Sequence, residues 1–92
     1  MTRRAVFRFR LYVAGDTRNS GQAIFNLKAL CGAYLADCHE IEVVDIARHP
    51  DRALSDGIFM TPTLVKLAPA PTRRIVGTLS QAQPVLQALG LA

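Results

Sequence analysis

The sequence predicts an α/β domain with the element order β-α-β-α-β-β-α and a four-stranded mixed sheet. Three observations predict it. Apolar and polar residues alternate near the N-terminus, which is the period of a strand. A segment with helical spacing and a second apolar strand follow, and these form a βαβ unit with a right-handed crossover. Two more strands, joined by a short proline-rich loop, predict an antiparallel hairpin that a last helix closes.

The composition is that of one globular domain spanning residues 1–92. Half of the 92 residues are hydrophobic, and the net charge is +4. The basic residues are dispersed rather than interleaved with aromatic residues, which argues against nucleic acid and favours an acidic protein surface as the partner. Arg8 and Arg10 interrupt the first apolar run, so it is not a signal peptide, and no stretch is long enough to span a membrane. We therefore expect a cytoplasmic protein.

The first strand and the first helix are the clearest elements. One face of the strand is apolar and the other carries two arginines and a tyrosine. The apolar residues are Phe7, Phe9, Leu11 and Val13. After Gly15, apolar residues recur at helical spacing from Ser20 to Asp37. Ser20 can cap this helix by accepting a hydrogen bond from a free backbone N–H.

The remaining elements are shorter. Three further strands are predicted, at Ile41–Ile46, Thr63–Leu67 and Arg73–Val76. The segment HPDRALSDG fits one or two helical turns, with Pro50 near its start and Gly57 after its end. Ser80 caps a last helix that runs to Leu89. This order of elements is the thioredoxin-like arrangement.

The position where this arrangement carries redox chemistry holds no cysteine. Thioredoxin-like enzymes place Cys-X-X-Cys at the N-terminus of the first helix, where the helix dipole lowers the pKa of a thiol. Here that position is Thr17–Ser20 (TRNS), and it also lacks the lysine of a phosphate-binding loop. Cys31 and Cys38 are interpreted as small buried hydrophobic residues. Together with His39 and His49, Cys38 matches no zinc spacing, so we predict no catalytic residue, cofactor or metal site.

The stretch MTPTLVK places a proline directly before a predicted strand. Thioredoxin-like folds carry a cis proline at this point, beside the N-terminus of the first helix, so we predict a cis peptide bond before Pro62. The alternative is an ordinary trans proline that opens an edge strand.

Three blocks of the sequence resemble the KaiB family, the small partners of the KaiC ATPase ring in the cyanobacterial circadian clock. The blocks are LYVAGDTRNS, EVVDIARHPDRA and TPTLVKLAPAPTRRIVGTLS, and the resemblance covers roughly Phe7 to Leu89. It implies a non-enzymatic protein that binds a KaiC-type ATPase ring, modulates its phosphorylation cycle and competes with the sensor domain of a SasA-like kinase. KaiA is left open as a partner, because many bacteria with KaiB and KaiC have no KaiA.

The resemblance also implies two conformations. Family members exchange between a dimeric or tetrameric ground state, with a rearranged C-terminal half, and a thioredoxin-like monomer that binds KaiC. The candidate partner-binding residues that it carries over are Lys66, Arg73 and Arg74. The matched structural positions are Gly15, Asn19, Ser20, Pro62, Pro69 and Pro71. Two other functions stay open. One is a KaiB-like stress-response or sensor module without a KaiC partner. The other is a thiol-disulfide oxidoreductase, although the missing Cys-X-X-Cys argues against it.

Overall fold

Alternating apolar residues build the centre of the sheet, and helical segments build the layers that cover it. The computed structural model describes residues 5–91, so the Arg3-Arg4 pair and the terminal Ala92 lie outside the described residues. The described elements are β1 (Phe7–Val13), α1 (Arg18–Tyr34), β2 (His39–Asp45), α2 (Pro50–Ser55), β3 (Thr63–Ala68), β4 (Arg73–Val76) and α3 (Ala82–Ala88). Their order is the one that the sequence predicts.

The sheet is mixed, with the strand order β2-β1-β3-β4. Strand β1 runs parallel to β2 and antiparallel to β3, and β3 runs antiparallel to β4. A parallel pair needs a crossover connection, which α1 provides, whereas the antiparallel β3–β4 pair needs only a hairpin loop. The predicted fold class, a four-stranded mixed sheet with helices on both faces, is confirmed.

One face of the sheet carries the main core. Phe9, Leu11 and Val13 of β1 are at most 4% exposed and pack against side chains of α1 and α3. The two helices contribute Ala23, Leu27, Leu30, Cys31, Val85 and Leu86. Because each large apolar side chain stabilises the fold by about 1.5–3 kcal/mol when it is fully buried, this core supplies much of the stability.

The opposite face carries a smaller core beneath α2. Its buried members are Tyr12, Val44, Ala53, Ile58 and Val65. Arg8 and Arg10 lie on the same face of β1 as Tyr12, as the alternation of the strand predicts. Tyr12 is fully buried at 0% exposure, whereas the Arg8 side chain is 63% exposed, so the helix covers one end of this face and leaves the other open.

Helix α1 begins at Arg18, earlier than the sequence predicts, and the prediction that Ser20 caps it is wrong. Thr17 is the N-cap, and its side-chain oxygen accepts a hydrogen bond from the Ser20 backbone N–H at 3.3 Å. Ser20 lies inside the first turn, where its hydroxyl oxygen accepts from the Ala14 N–H at 3.0 Å. Either hydroxyl can satisfy a free N–H, so composition does not decide between them. The helix also ends before Asp37, whose left-handed φ of 63° cannot continue it.

The bounds of three further elements differ from the prediction, and β3 differs least, since it ends at Ala68 rather than Leu67. Helix α3 is shorter than the predicted span from Ser80 to Leu89, and Gln81, in extended backbone, precedes it without a side-chain cap. The prediction that Ser80 caps this helix is therefore wrong. Strand β2 spans His39–Asp45 rather than Ile41–Ile46, because its pairing with β1 extends it beyond its β-branched run.

The two hydroxyls that were candidate caps make a matched test. Thr17→Ala removes the acceptor at the first turn of α1, and we expect it to lower the free energy of unfolding by about 1 kcal/mol. Ser80→Ala removes a hydroxyl that caps no helix, and should change the same quantity by less than about 0.5 kcal/mol. Urea denaturation followed by circular dichroism measures both. Equal losses in the two variants would contradict the assignment of Thr17 as the cap.

Candidate functional site

The turn between β1 and α1 is closed by its own hydrogen bonds. The Thr17 and Ser20 hydroxyl oxygens lie 2.7 Å apart. Gly15, which has a positive φ of 55°, donates its N–H to the Asp45 carboxylate at 3.1 Å. Asn19 is exposed on the surface of the turn. The position of a redox motif therefore holds two hydroxyls that bond within the turn and two exposed side chains, those of Arg18 and Asn19.

Both cysteines are free and lie away from this turn. Cys31 is 0% exposed in the main core, and burial raises the pKa of its thiol to about 11. Since the thiolate is the reactive form, this environment suppresses nucleophilic chemistry. Cys38 is half-buried before β2 and packs against the same core. The burial of Cys31 agrees with its interpretation as a small buried hydrophobic residue, whereas Cys38 is only half-buried.

Within residues 5–91, no group of three or more His, Cys, Asp or Glu side chains is placed to hold a metal ion. His39, one of the residues whose spacing matches no zinc motif, has its Nδ1 2.8 Å from the Leu35 carbonyl oxygen. No helix in the same part of the chain is both long enough and apolar enough to cross a bilayer.

The candidate prolines lie in two loops. The peptide bond before Pro62 is cis, as predicted, and the bonds before Pro69 and Pro71 in the β3–β4 loop are also cis. The Pro62 carbonyl oxygen accepts a hydrogen bond from the Gly77 N–H at 2.9 Å. This bond joins the segment before β3 to the residue after β4, at the end of the sheet that also carries the β1–α1 turn.

Three apolar side chains are exposed together near this end of the sheet. Phe59 is 90% exposed, Met60 63% and Val76 54%. They line one cavity of about 160 Å³ with Gly57 and Arg74 among its other lining residues. Large apolar side chains gathered around one exposed cavity are typical of a protein–protein contact site. We call Phe59, Met60 and Val76 the apolar patch.

The apolar patch is not among the sites predicted from the sequence. A signal for it exists, because Phe59 and Met60 follow Gly57, after the end of α2 and before β3, and so belong to no helical or strand period. Apolar residues outside an amphipathic pattern have no predicted core to enter.

The candidate basic residues do not share one surface. Arg73 and Arg74 are exposed neighbours on the edge strand β4, and successive residues of a strand point to opposite faces. Arg74 pairs with Val65 on the α2 face, where its Nη1 donates to the Gly57 carbonyl oxygen at 3.3 Å. Arg73 pairs with Lys66 on the other face. Only Arg74 of the two arginines lines the cavity of the apolar patch.

Lys66 is 4% exposed. Its Nζ lies 5.8 Å from the centroid of the Phe7 ring, within the range of a cation–π contact. In this conformation a partner can reach Arg74 and the apolar patch together, whereas the Lys66 side chain is almost inaccessible.

A charged network joins α2 to the sheet beside the patch. The Arg10 Nε donates to Glu42 Oε1 at 2.8 Å, and the Arg52 Nη2 donates to the same oxygen at 2.9 Å. The Arg10 Nη1 donates to Asp56 Oδ2 at 3.1 Å, and the Tyr12 hydroxyl donates to the same Asp56 oxygen. One network of five side chains therefore connects β1, β2 and α2.

These contacts shift the pKa of each carboxyl group in the direction that keeps it charged. Hydrogen bonds from Arg52 and then Arg10 lower the pKa of Glu42 from 4.5 to about 2. The hydrogen bond from Tyr12 is the main cause that lowers the pKa of Asp56, whereas burial is the main cause that raises the pKa of Tyr12. Asp56 is therefore a charged acceptor, and Tyr12 a neutral donor, at neutral pH.

Acid should weaken the fold through Glu42. Because its folded pKa of about 2 is below its ordinary value of 4.5, the unfolded chain binds the proton first as the pH falls. The stabilisation is therefore present above about pH 4.5 and is lost between about pH 4.5 and pH 2. The Glu42 side chain is 48% exposed, so screening by water keeps the effect modest.

Thermal unfolding across this pH range measures the effect. Glu42→Gln should flatten the dependence of the melting temperature on pH between about pH 4.5 and pH 2. Glu40→Gln is the matched control, because Glu40 pairs only with Arg8 among the described residues and its side chain is 64% exposed. Identical slopes in the wild type and in Glu42→Gln would contradict the role given to Glu42.

Sequence comparisons show the family of the chain. A family model described as the KaiB domain matches residues 10–91. The chain is 40% identical over 91 residues to the circadian clock oscillator protein KaiB of Synechococcus elongatus, and the match covers 99% of this chain and 89% of that protein. It is 39% identical over 82 residues to the circadian clock protein KaiB3 of Synechocystis sp., covering 89% of this chain and 80% of that protein.

Solved structures have the same fold. The N-terminal domain of SasA from Synechococcus elongatus is similar with a TM-score of 0.73 and 25% identity, covering 100% of this chain and 90% of that chain. The thioredoxin Deadhead of Drosophila melanogaster is similar with a TM-score of 0.72 and 12% identity, covering 92% of this chain and 79% of that chain. The likeness to Deadhead concerns the fold alone. The thioredoxin-like class is confirmed.

Proposed function

This chain belongs to the KaiB family, and from that premise we propose that it is a non-enzymatic regulatory protein that binds a KaiC-type ATPase ring. Binding would modulate the phosphorylation and ATPase cycle of the ring in circadian or other timing control. The proposed setting is the cytoplasm.

The observation that carries the proposal is the apolar patch with Arg74 at its rim. A specific interface has an apolar centre that excludes water and a polar rim. Phe59, which is 90% exposed, and Met60, which is 63% exposed, would form the centre. The Arg74 guanidinium beside them would face an acidic group of the partner, consistent with the net charge of +4 of the chain.

The lack of a thiol at the redox position supports a binding function rather than a catalytic one. Hydroxyls occupy the turn where thioredoxin-like enzymes hold a reactive thiol, and the buried Cys31 has a raised pKa. The likeness to the SasA N-terminal domain supports the further proposal that a SasA-like kinase competes for the same ring. Two proteins of one fold can offer the same end of the sheet to one partner.

The conformation described here is the thioredoxin-like one, which the family resemblance associates with the monomer that binds the ring. We propose that a dimeric or tetrameric ground state with a rearranged C-terminal half exchanges with it. The apparent affinity for the ring would then be reduced by the fraction of molecules outside the binding conformation.

Adjacent arginines on opposite faces of β4 allow a matched test. Arg74→Glu should weaken binding to a purified KaiC-type ring and reduce the dependence of the association rate on salt, because a rim charge acts mainly on association. Arg73→Glu makes the same charge change on the other face and should leave the association rate within about twofold of the wild type. Fluorescence anisotropy at several salt concentrations measures both. Equal losses would contradict the proposed orientation.

The binding of the wild type decides between this function and a sensor module without a KaiC partner. The proposal predicts that the protein co-sediments with the ring in the presence of ATP and changes its rate of ATP hydrolysis. If the protein neither co-sediments with the ring nor alters that rate at concentrations up to about 100 μM, the KaiC assignment is wrong. A dissociation constant above about 100 μM corresponds to less than about 6 kcal/mol of binding free energy.

A further inference from the structure

The acidic residue that ends α2 lies between the charged network and the apolar patch. We propose that Asp56 is a positioning residue for partner binding: held by Tyr12 and Arg10, it fixes the turn that presents Phe59. This inference rests on the proposed function, since the patch is the surface that it would position.

Asp56 contacts the centre of the sheet through Tyr12 and Arg10. Tyr12 is 0% exposed on the central strand β1, so its hydroxyl must find a partner inside the fold. That partner is Asp56 Oδ2, which the Arg10 Nη1 also contacts at 3.1 Å. The carboxylate thus receives two hydrogen bonds from one strand, and a hydrogen bond to a charged group is stronger than a neutral one.

A turn that begins at Asp56 leads from α2 to Phe59. The next residue, Gly57, has a left-handed φ of 65° and donates its N–H to the Leu54 carbonyl oxygen at 3.1 Å. The Ile58 N–H donates to the Ala53 carbonyl oxygen at 2.8 Å, and the Ile58 side chain is 9% exposed in the smaller core. The contacts of Gly57 and Ile58 therefore fix the path of the backbone between α2 and Phe59.

The far side of the turn is anchored as well. The Thr63 hydroxyl donates to the Met60 carbonyl oxygen at 2.6 Å, and Thr63 is 4% exposed at the start of β3. Phe59 stands between these two anchors with its ring in solvent. On one side it is followed by the Thr63 contact at the start of β3, and on the other it is preceded by the turn whose first residue, Asp56, is bonded to Tyr12 and Arg10.

Helix α2 is too short to keep the turn in place without contacts to the sheet. The helix spans only six residues, and a helix of this length is not stable without tertiary contacts. Two contacts join it to the sheet. Arg52 within the helix donates to Glu42, and Asp56, which follows the last helical residue, accepts from Tyr12. Removing the Asp56 contact would leave the end of the helix nearest Phe59 held mainly by the backbone hydrogen bonds of the turn and by the buried Ile58 side chain.

The consequence is preorganisation of the patch. An interface loses affinity when its contact residues must be ordered on binding. We therefore expect Asp56→Asn, which keeps the shape and removes the charge, to loosen the turn and weaken binding to the ring while the rest of the fold stays closed. Tyr12→Phe, which removes only the hydroxyl and keeps the buried ring, should have an intermediate effect.

Hydrogen exchange and binding are measured on the same variants of the full chain. In Asp56→Asn the amides of Gly57 and Ile58 should exchange at least about tenfold faster than in the wild type, with no change at Leu11 or Leu64 in the central strands. The dissociation constant for a purified KaiC-type ring should rise by about tenfold, at a temperature where more than about 99% of the protein is folded. Tyr12→Phe should give a smaller rise in both quantities.

Val44→Ala is the control for a merely structural role. Val44 is 1% exposed in the same small core but is not one of the side chains that contact the Asp56 carboxylate. Its loss should accelerate exchange at the central strands and at the turn alike, and should leave the affinity of the folded fraction near that of the wild type.

The outcomes separate the two proposals. Selective exchange at the turn with weaker binding in Asp56→Asn supports the positioning role. If the wild type binds the ring, two results for Asp56→Asn overturn the positioning role. One is unchanged amide exchange at Gly57 and Ile58, and the other is faster exchange there with an unchanged dissociation constant. Failure of the wild type to bind overturns the proposed function itself, and the positioning role falls with it.

Discussion

Replacing Phe59 with Asp should weaken binding to a KaiC-type ring by at least about 30-fold, because an exposed aromatic residue at the centre of an interface contributes about 2 kcal/mol or more. The fold should be unaffected. Phe59 is 90% exposed, so its loss removes no core contact, and the free energy of unfolding should change by less than about 0.5 kcal/mol. Isothermal titration calorimetry measures the first quantity and urea denaturation the second.

Phe25 provides the matched control for this substitution. It is 71% exposed on α1, which packs on the face of the sheet opposite α2. Phe25→Asp makes the same chemical change at a second exposed phenylalanine and should leave the dissociation constant within about twofold of the wild type. Equal losses of affinity in the two variants, or no loss in Phe59→Asp, would remove the apolar patch from the interface.

Replacing Leu27 with Ala should lower the free energy of unfolding by about 2–5 kcal/mol, because it leaves a cavity in the main core. Leu27 is 0% exposed on the side of α1 that faces β1 and β3. For a domain of this size the loss would be a large share of the total stability, which is about 5–15 kcal/mol for native proteins. Chemical denaturation should show a lower midpoint with an unchanged slope.

Leu54 is the control within the same residue type. It is 75% exposed on α2, and Leu54→Ala should change the free energy of unfolding by less than about 0.5 kcal/mol. Similar losses for Leu27→Ala and Leu54→Ala would contradict the packing described here, since only one of the two side chains is buried.

Much of the fold is predictable because the periods of the sequence are local. The alternation from Phe7 to Val13 defines β1, and β4 is observed at the predicted Arg73–Val76. The start of α1 was not predictable in the same way, since Thr17 and Ser20 can each cap a helix. The choice between them depends on the Ala14 N–H, which reaches the Ser20 hydroxyl only once β1 has been placed against the helix.

The candidate site was harder to predict because it depends on contacts between distant residues. Arg73 and Arg74 look like one basic pair in sequence, yet the pleat of β4 sends them to opposite faces. Lys66 looks like a surface cation and is 4% exposed, because β3 is a central strand. The contact of Tyr12 with Asp56 joins residues far apart in the chain, and no local pattern predicts it.

A hydrogen-exchange footprint of the wild-type protein bound to a purified KaiC-type ring tests whether the apolar patch and Arg74 form the contact surface. If they do, exchange should slow on binding across residues 57–60 and 74–77, with little change along the exposed side of α1. Protection centred on α1, with unchanged exchange at residues 57–60, would show that the ring binds another surface of the protein.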